Sequence, residues 1–118
     1  MEQFVSLKKN DDFGRVYRQG RSYGNKLLVM YVLERGQDQE SRIGISVSKK
    51  VGNSVVRHRI KRLIRESFRT HWKQWRAGHD LVVIARQNAK NKSYQEIESA
   101  LFHLGRHHQL LEREGEGE

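Results

Sequence analysis

The residues best equipped for chemistry are cationic, and they cluster. Residues 49–69 read KKVGNSVVRHRIKRLIRESFR, and between Arg57 and Arg65 five of nine residues are Arg or Lys, with His58 among them. Arg pairs naturally with phosphate, because its planar fork donates two hydrogen bonds at once. A run of one sign costs self-repulsion, and Glu66 alone stands nearby to relieve it. Two readings follow: a solvated helix face, which usually mixes signs, or a surface along which a polyanion lies. The uniform sign favours the polyanion.

Catalysis by side chains would need a constellation that the sequence does not offer. Of six histidines, His103 and His107 are four apart and share a helix face, but no carboxylate stands at a matching spacing and the Glu of an HExxH helix is missing. Neither a GxxxxGK[ST] phosphate loop nor a GxSxG elbow occurs. The expectation is no catalytic residue and no protein-held metal.

These residues sit on elements that the pattern predicts. At about 100° per residue, Val56, Ile60, Leu63 and Ser67, with Ile64 at the edge, gather on one side of a helix from Ser54 to Trp72 or Trp75. Arg57, His58, Lys61, Arg62, Arg65 and Arg69 gather on the adjoining side. Phe68, Trp72 and Trp75 read as core or core edge. Before this helix, residues 1–7 read as extended or loose, and a first helix follows with Asn10 as N-cap, Asp11 and Asp12 at its positive end and Gly20 as a C′ glycine. In it Phe13, Val16 and Tyr17 fall at i, i+3, i+4; periodicity favours core, and the alternative is an aromatic platform for stacking bases.

Residues 21–47 read as sheet, with strands at Ser22–Gly24, Leu27–Glu34 and Arg42–Val47. In the last of these Ile43, Ile45 and Val47 share one face and Gly44, Ser46 and Ser48 the other, which leaves room for a helix or a ligand backbone to approach. Asp80–Ala85 is a continuous apolar strand of the buried kind, followed by a polar loop from Arg86 to Lys92. Ser93-Tyr94-Gln95-Glu96 fits a capping box for a last helix with Ile97, Leu101, Leu104 and Leu111 as its stripe and Gly105 as a weak point. The order is α-β-β-β-α-β-α, an α+β fold with a four-stranded sheet.

Composition bounds the rest. The chain has 118 residues and a net charge of +9; the last seven hold four Glu and one Arg, leaving 22 basic against 10 acidic residues, +12, on residues 1–111. One RNA-binding domain over 1–111 with a disordered acidic tail over 112–118 is the expectation. Nucleic acid is the leading partner and an anionic membrane the second. Without cysteine, disulfides and thiolate zinc sites are excluded. The longest apolar run, Leu27–Leu33, is too short to span a bilayer, and MEQFVSLKKN lacks a signal-peptide core; a cytoplasmic protein is expected, with no membrane partner.

From Leu7 to about His107 the chain resembles the protein subunit of bacterial ribonuclease P. The resemblance is most specific over Ser48, Lys50, Gly52, Ser54, Val55, Arg57, Arg59, Lys61, Arg62 and Arg65, which follow the family's S-x-K-x-x-G-x-A/S-V-x-R-N-R-x-K-R-x-x-R run. Asp12-Phe13, Tyr17, Gly20, Tyr31 and DLVVIAR at 80–86 also match. The departure is His58, where the family usually has Asn; a His still donates to phosphate, and more strongly when protonated. The resemblance implies a ribonucleoprotein endonuclease that removes the 5′ leader from precursor tRNA, with the active site and its Mg2+ in the RNA subunit and no obligate protein partner. It implies that Lys49, Lys50, Arg57, His58, Arg59, Lys61, Arg62 and Arg65 meet the RNA subunit. It also implies that Phe13, Tyr17 and Tyr31 line a cleft for the single-stranded leader, which reverses the preference for core. It further implies a two-layer sandwich with a left-handed βαβ crossover, like the second domain of a small-subunit ribosomal protein, against the right-handed rule that holds in ~98% of cases. The rivals are a structural RNA-binding protein such as a ribosomal component, which needs no aromatic cleft, and a DNA-binding helix module. The second fits poorly because the basic helix lies between strands.

Overall fold

A computed structural model describes residues 5–36 and 38–112. Its elements are β1 (Val5–Ser6), α1 (Asn10–Gln19), β2 (Arg21–Gly24), β3 (Leu28–Glu34), β4 (Arg42–Ser46), α2 (Ser54–Thr70), β5 (His79–Ala85) and α3 (Tyr94–His107). Short 3-10 turns follow α2 at Trp72–Gln74 and β5 at Gln87–Ala89.

The sheet has five strands, in the order β1-β4-β5-β3-β2. This corrects the expected four: Val5 and Ser6 pair in parallel with Arg42 and Ile43, so part of the segment read as loose closes one edge. β4 and β5 are parallel with α2 as their connection, while β3 runs antiparallel to both β5 and β2.

The two-residue period of a strand sorts the core into two faces. Leu28, Met30, Ile43, Leu81 and Val83 face α2 and α3, where they meet Ile60, Ile64, Phe68, Ile97, Leu101 and Leu104. Val82 faces the other way and packs with Leu7 and Val16, flanked by Phe13, Tyr31, Leu33 and Ile84. The expected two-layer sandwich therefore carries α1 as a partial third layer on the opposite face.

Several residues play parts that differ from the sequence reading. Ile64 is fully buried and Leu63 is the edge residue, and α2 ends at Thr70. Asn10 is the first helical residue, and Lys9, which makes no side-chain cap bond, is the N-cap. Gly20 is not left-handed but extended, with φ −81°; a Cβ there would lie 2.6 Å from the Val16 carbonyl oxygen and 2.8 Å from that of Val32. Gly105 is likewise a seat rather than a weak point, since a Cβ would lie 2.6 Å from the Trp75 ring.

The capping box of α3 forms as expected, Ser93 accepting from Glu96 N–H and Glu96 from Ser93 N–H. Leu111 falls past the end of α3 and bridges Trp75 instead, while Arg76 N–H donates to Leu110 O and Glu112 N–H, at the start of the expected tail, to Gln74 O. The rest of that tail, 113–118, lies outside the described residues.

Candidate nucleic-acid interface

Two surfaces stand out, one on each side of the sheet. The first is an aromatic cluster. Val16 is fully buried and anchors α1 to the sheet, which brings Phe13 and Tyr17 down onto the β4 face of small residues. Phe13 occupies the space left by Gly44: a Cβ at 44 would lie 2.5 Å from Phe13 Cζ. The sequence left open whether a helix or a ligand backbone fills that space, and it is the helix.

The Tyr17 ring meets Tyr31 edge-on with centroids 5.0 Å apart, and Phe13 lies 6.3 Å from Tyr17. Tyr17 remains 39% exposed; Phe13 and Tyr31 are half-buried. The three rings thus pack as one partly exposed cluster against the core of that face. Burial, then the nearby Tyr31, raise the Tyr17 phenol pKa against a lowering hydrogen bond with Ser46, so the hydroxyl stays protonated.

An ion network ties α1 to the sheet. Arg42 on β4 donates two hydrogen bonds to the buried Asp80 of β5, from Nε at 2.8 Å and Nη2 at 2.7 Å. Its Nη1 reaches Asp12 of α1 at 3.5 Å, and Arg35 approaches Asp80 at 3.7 Å. The bond to Asp80 raises the Arg42 pKa. Sequence reasoning missed Ser46, Arg42 and the coupling of Asp12 to Asp80. The two acidic residues were visible in the DF and DLVVIAR segments, but not that one arginine joins them.

The second surface is α2. Asn53 caps it by accepting from Val56 N–H at 3.0 Å. His58, Arg62 and Arg65 are exposed, opposite the buried side of Ile60, Ile64, Ser67 and Phe68. Arg57 and Lys61 are half-buried on one flank, and Arg57 Nε donates to Gly52 O at 3.2 Å, which holds it against the preceding loop. Arg59, also half-buried, lies on the other flank, about 160° round from Arg57 at ~100° per residue. Lys49 and Lys50 are exposed in the turn before the helix. The candidate residues of α2 therefore straddle the helix, and a partner that meets all of them must wrap it. Glu66 pairs with Arg69, whose hydrogen bond lowers the Glu66 pKa.

Among the described residues no group of three His, Cys, Asp or Glu could hold a metal ion. The carboxylates nearest the cluster, Asp12 and Asp80, are engaged by Arg42, so the residues present do not fit a protein-held Mg2+. Asn25 Oδ1 accepts from Leu27 and Leu28 N–H, which fixes its amide, and Nδ2 then faces His103 Nδ1 at 3.1 Å. No described helix is long and apolar enough to cross a membrane.

A cationic helix on one side of a mixed sheet and an aromatic cluster on the other define a small basic α+β protein. A family model described as Ribonuclease P matches residues 1–109. The chain is 54% identical over 106 residues to the ribonuclease P protein component of Lachnoclostridium phytofermentans, covering 90% of each chain. It is 51% identical over 111 residues to that of Alkaliphilus metalliredigens, covering 94% of this chain and 99% of the relative. Among solved structures, the RNase P protein of Staphylococcus aureus superposes with a TM-score of 0.84 at 40% identity, covering 92% of this chain and 98% of the other. That of Thermotoga maritima gives 0.78 at 30% identity, with 86% and 96% covered. The chain belongs to the ribonuclease P protein family, the protein component of the ribonucleoprotein enzyme that matures the 5′ end of tRNA.

Proposed function

We propose that α2 and its preceding turn, through Lys49, Lys50, Arg57, His58, Arg59, Lys61, Arg62 and Arg65, bind the ribonuclease P RNA. The cluster of Phe13, Tyr17 and Tyr31 holds the single-stranded 5′ leader of precursor tRNA. The observation that carries the second half is the Phe13–Tyr17–Tyr31 cluster, half-buried, with Tyr17 open to solvent. A protein that only clamps RNA needs no such cluster, which places the ribosomal-component reading second. Leader bases stack on these rings, typically for ~1–3 kcal/mol each. The protein then acts by position and charge: α2 reduces repulsion between catalytic RNA and substrate, and the held leader fixes the scissile phosphate, a proximity effect. Magnesium is held by RNA and substrate, and correct placement of their phosphates raises its affinity there. The reading includes a left-handed β4–α2–β5 crossover, a cytoplasmic location and no obligate protein partner.

The test is 5′ cleavage of precursor tRNA at low magnesium by a bacterial ribonuclease P RNA, with and without the protein. Restored cleavage with tighter binding of precursor than of mature tRNA is expected. Binding to the RNA with unchanged cleavage would put the structural-protein reading ahead.

A further inference from the structure

The groove between α3 and the β2–β3 turn belongs to neither surface above. It is a cavity of about 620 Å3, with Leu27 and Ala100 among its apolar residues and Lys26, Lys92, His103 and Arg106 among its polar ones. Lys26, His103 and Arg106 are exposed. The carboxylate of the lining is Glu96, which the Ser93 capping box engages and Lys92 approaches at 4.0 Å, so three cations face one carboxylate already in use. None of the described lining residues is Phe, Tyr or Trp, so the groove offers charge without a stacking platform. That combination suits sugar-phosphate backbone rather than bases.

Asn25 ties the groove to the rest of the cationic surface. Its Oδ1 accepts from Leu27 and Leu28 N–H, and its Nδ2 donates to Ala100 O at 2.9 Å and to His103 Nδ1. His103 itself is exposed at the groove. The Asn25 carbonyl accepts from Arg86 Nη1 at 3.2 Å. Arg86 in turn lines a hollow with Ser48 and Lys50, in the turn that leads into α2. Leu28 pairs with Ala85, so the β2–β3 turn lies at the sheet end where β5 delivers Arg86. The cations thus continue from Lys50 through Arg86 to Lys26 without leaving that end of the molecule.

We propose that this groove is a second backbone-binding surface for the ribonuclease P RNA, continuous with α2 and reading no sequence. The inference rests on the assignment of α2 to that RNA. Because the chain has no cysteine, a single introduced one can carry a tethered iron–EDTA reagent that cuts nearby RNA. Ser99→Cys places it in the groove, and Val55→Cys, at a residue 75% exposed on α2, reports on the helix. In the complex of protein, RNA subunit and precursor tRNA, both are expected to cut the RNA subunit, at different strands. Cutting from position 55 but not 99 would overturn the groove alone. Cutting from 99 confined to the precursor would give the surface to the substrate and overturn it too. Cutting from neither would remove the α2 assignment and the groove with it. Independently, Lys26→Ala with Arg106→Ala should flatten the log–log salt dependence of RNA-subunit affinity by ~0.7–0.9 for every phosphate no longer neutralised, with an unchanged circular dichroism spectrum. An unchanged slope would count against the proposal.

Discussion

Replacing Gly44 by alanine perturbs the aromatic cluster without removing any side chain that RNA would meet. The new Cβ would lie 2.5 Å from Phe13 Cζ, 2.8 Å from Phe13 Cε1 and 3.3 Å from Leu7 Cβ. Ordinary carbon contacts begin at ~3.5 Å, so the Phe13 ring must retreat by about 1 Å or α1 must lift. Leu7 is buried behind it and Val16 is fixed below, which leaves the outward direction. Overpacking of this kind costs ~1–3 kcal/mol, and each kcal/mol lowers Tm by roughly 4–8 °C in a small domain. If Phe13 stacks a leader base worth ~1–3 kcal/mol, displacing it weakens precursor binding by ~5- to 150-fold. The assay is the affinity of the holoenzyme for precursor tRNA against mature tRNA, with Tm measured in parallel. Gly44→Ala should lose precursor affinity and keep mature-tRNA affinity. Adding Phe13→Leu should recover Tm, since the smaller side chain removes the clash, but not leader affinity. Equal losses for both RNAs, or recovery of precursor affinity in the double variant, would refute the stacking role.

Three further outcomes are expected. Arg57→Ala with Arg65→Ala should weaken RNA-subunit binding and reduce the log–log salt slope by ~0.7–0.9 for each phosphate that the two arginines neutralise; titration across salt concentrations checks it. His108 is buried with Nε2–H donated to Met30 O at 2.9 Å. Its pKa is lowered first by burial, against the Met30 bond, and further by Arg21, His107 and His79. Below the unfolded value of ~6.5 the unfolded chain binds the extra proton while the folded one resists it. Stability is therefore full above that pH and falls as pH descends toward the folded value. Tm against pH should be flatter below ~6.5 in His108→Gln than in the parent, and identical slopes would refute the assignment. Gly105→Ala should displace Trp75, whose ring atoms lie 2.6 and 2.8 Å from the added Cβ, at a cost of ~1–3 kcal/mol. Loss of Tm with a red-shifted tryptophan emission is the readout.

What the sequence showed was local. The capping box of α3 rests on two side chains and two backbone amides within four residues, so pattern alone finds it. The apolar run of β5 and the charge of α2 were equally legible. Where spatial neighbours come from distant sequence, pattern failed. Gly20 carries the signature of a helix-ending left-handed residue, yet it is needed because β3 passes so close that the Val32 carbonyl blocks a side chain. Gly105 has the look of a helix fault until Trp75 arrives from the α2–β5 connection to fill it. β1 is two residues long, below any periodic signal, and its identity as a strand depends on β4. The site divides the same way. The residue types of the aromatic cluster and of α2 could be named, but the seating of Phe13 over Gly44 and the Ser46 bond to Tyr17 are tertiary facts.

The anchoring of the connection after α2 has a consequence for the order in which the molecule can be made. Trp75, Arg76 and Gln74 are held by Leu110, Leu111 and Glu112, and the inner side of α2 is covered by Ile97, Leu101 and Leu104 of α3. A ribosome that has translated α2 has therefore produced a cationic amphipathic segment that still lacks its α3 cover and the anchor of its connection, the latter complete only some forty residues later (from Thr70 to Leu110). Cooperative closure of a small domain waits for its last core contacts. The α2 surface thus acquires its final shape only after α3 and the residues that anchor the connection have been made.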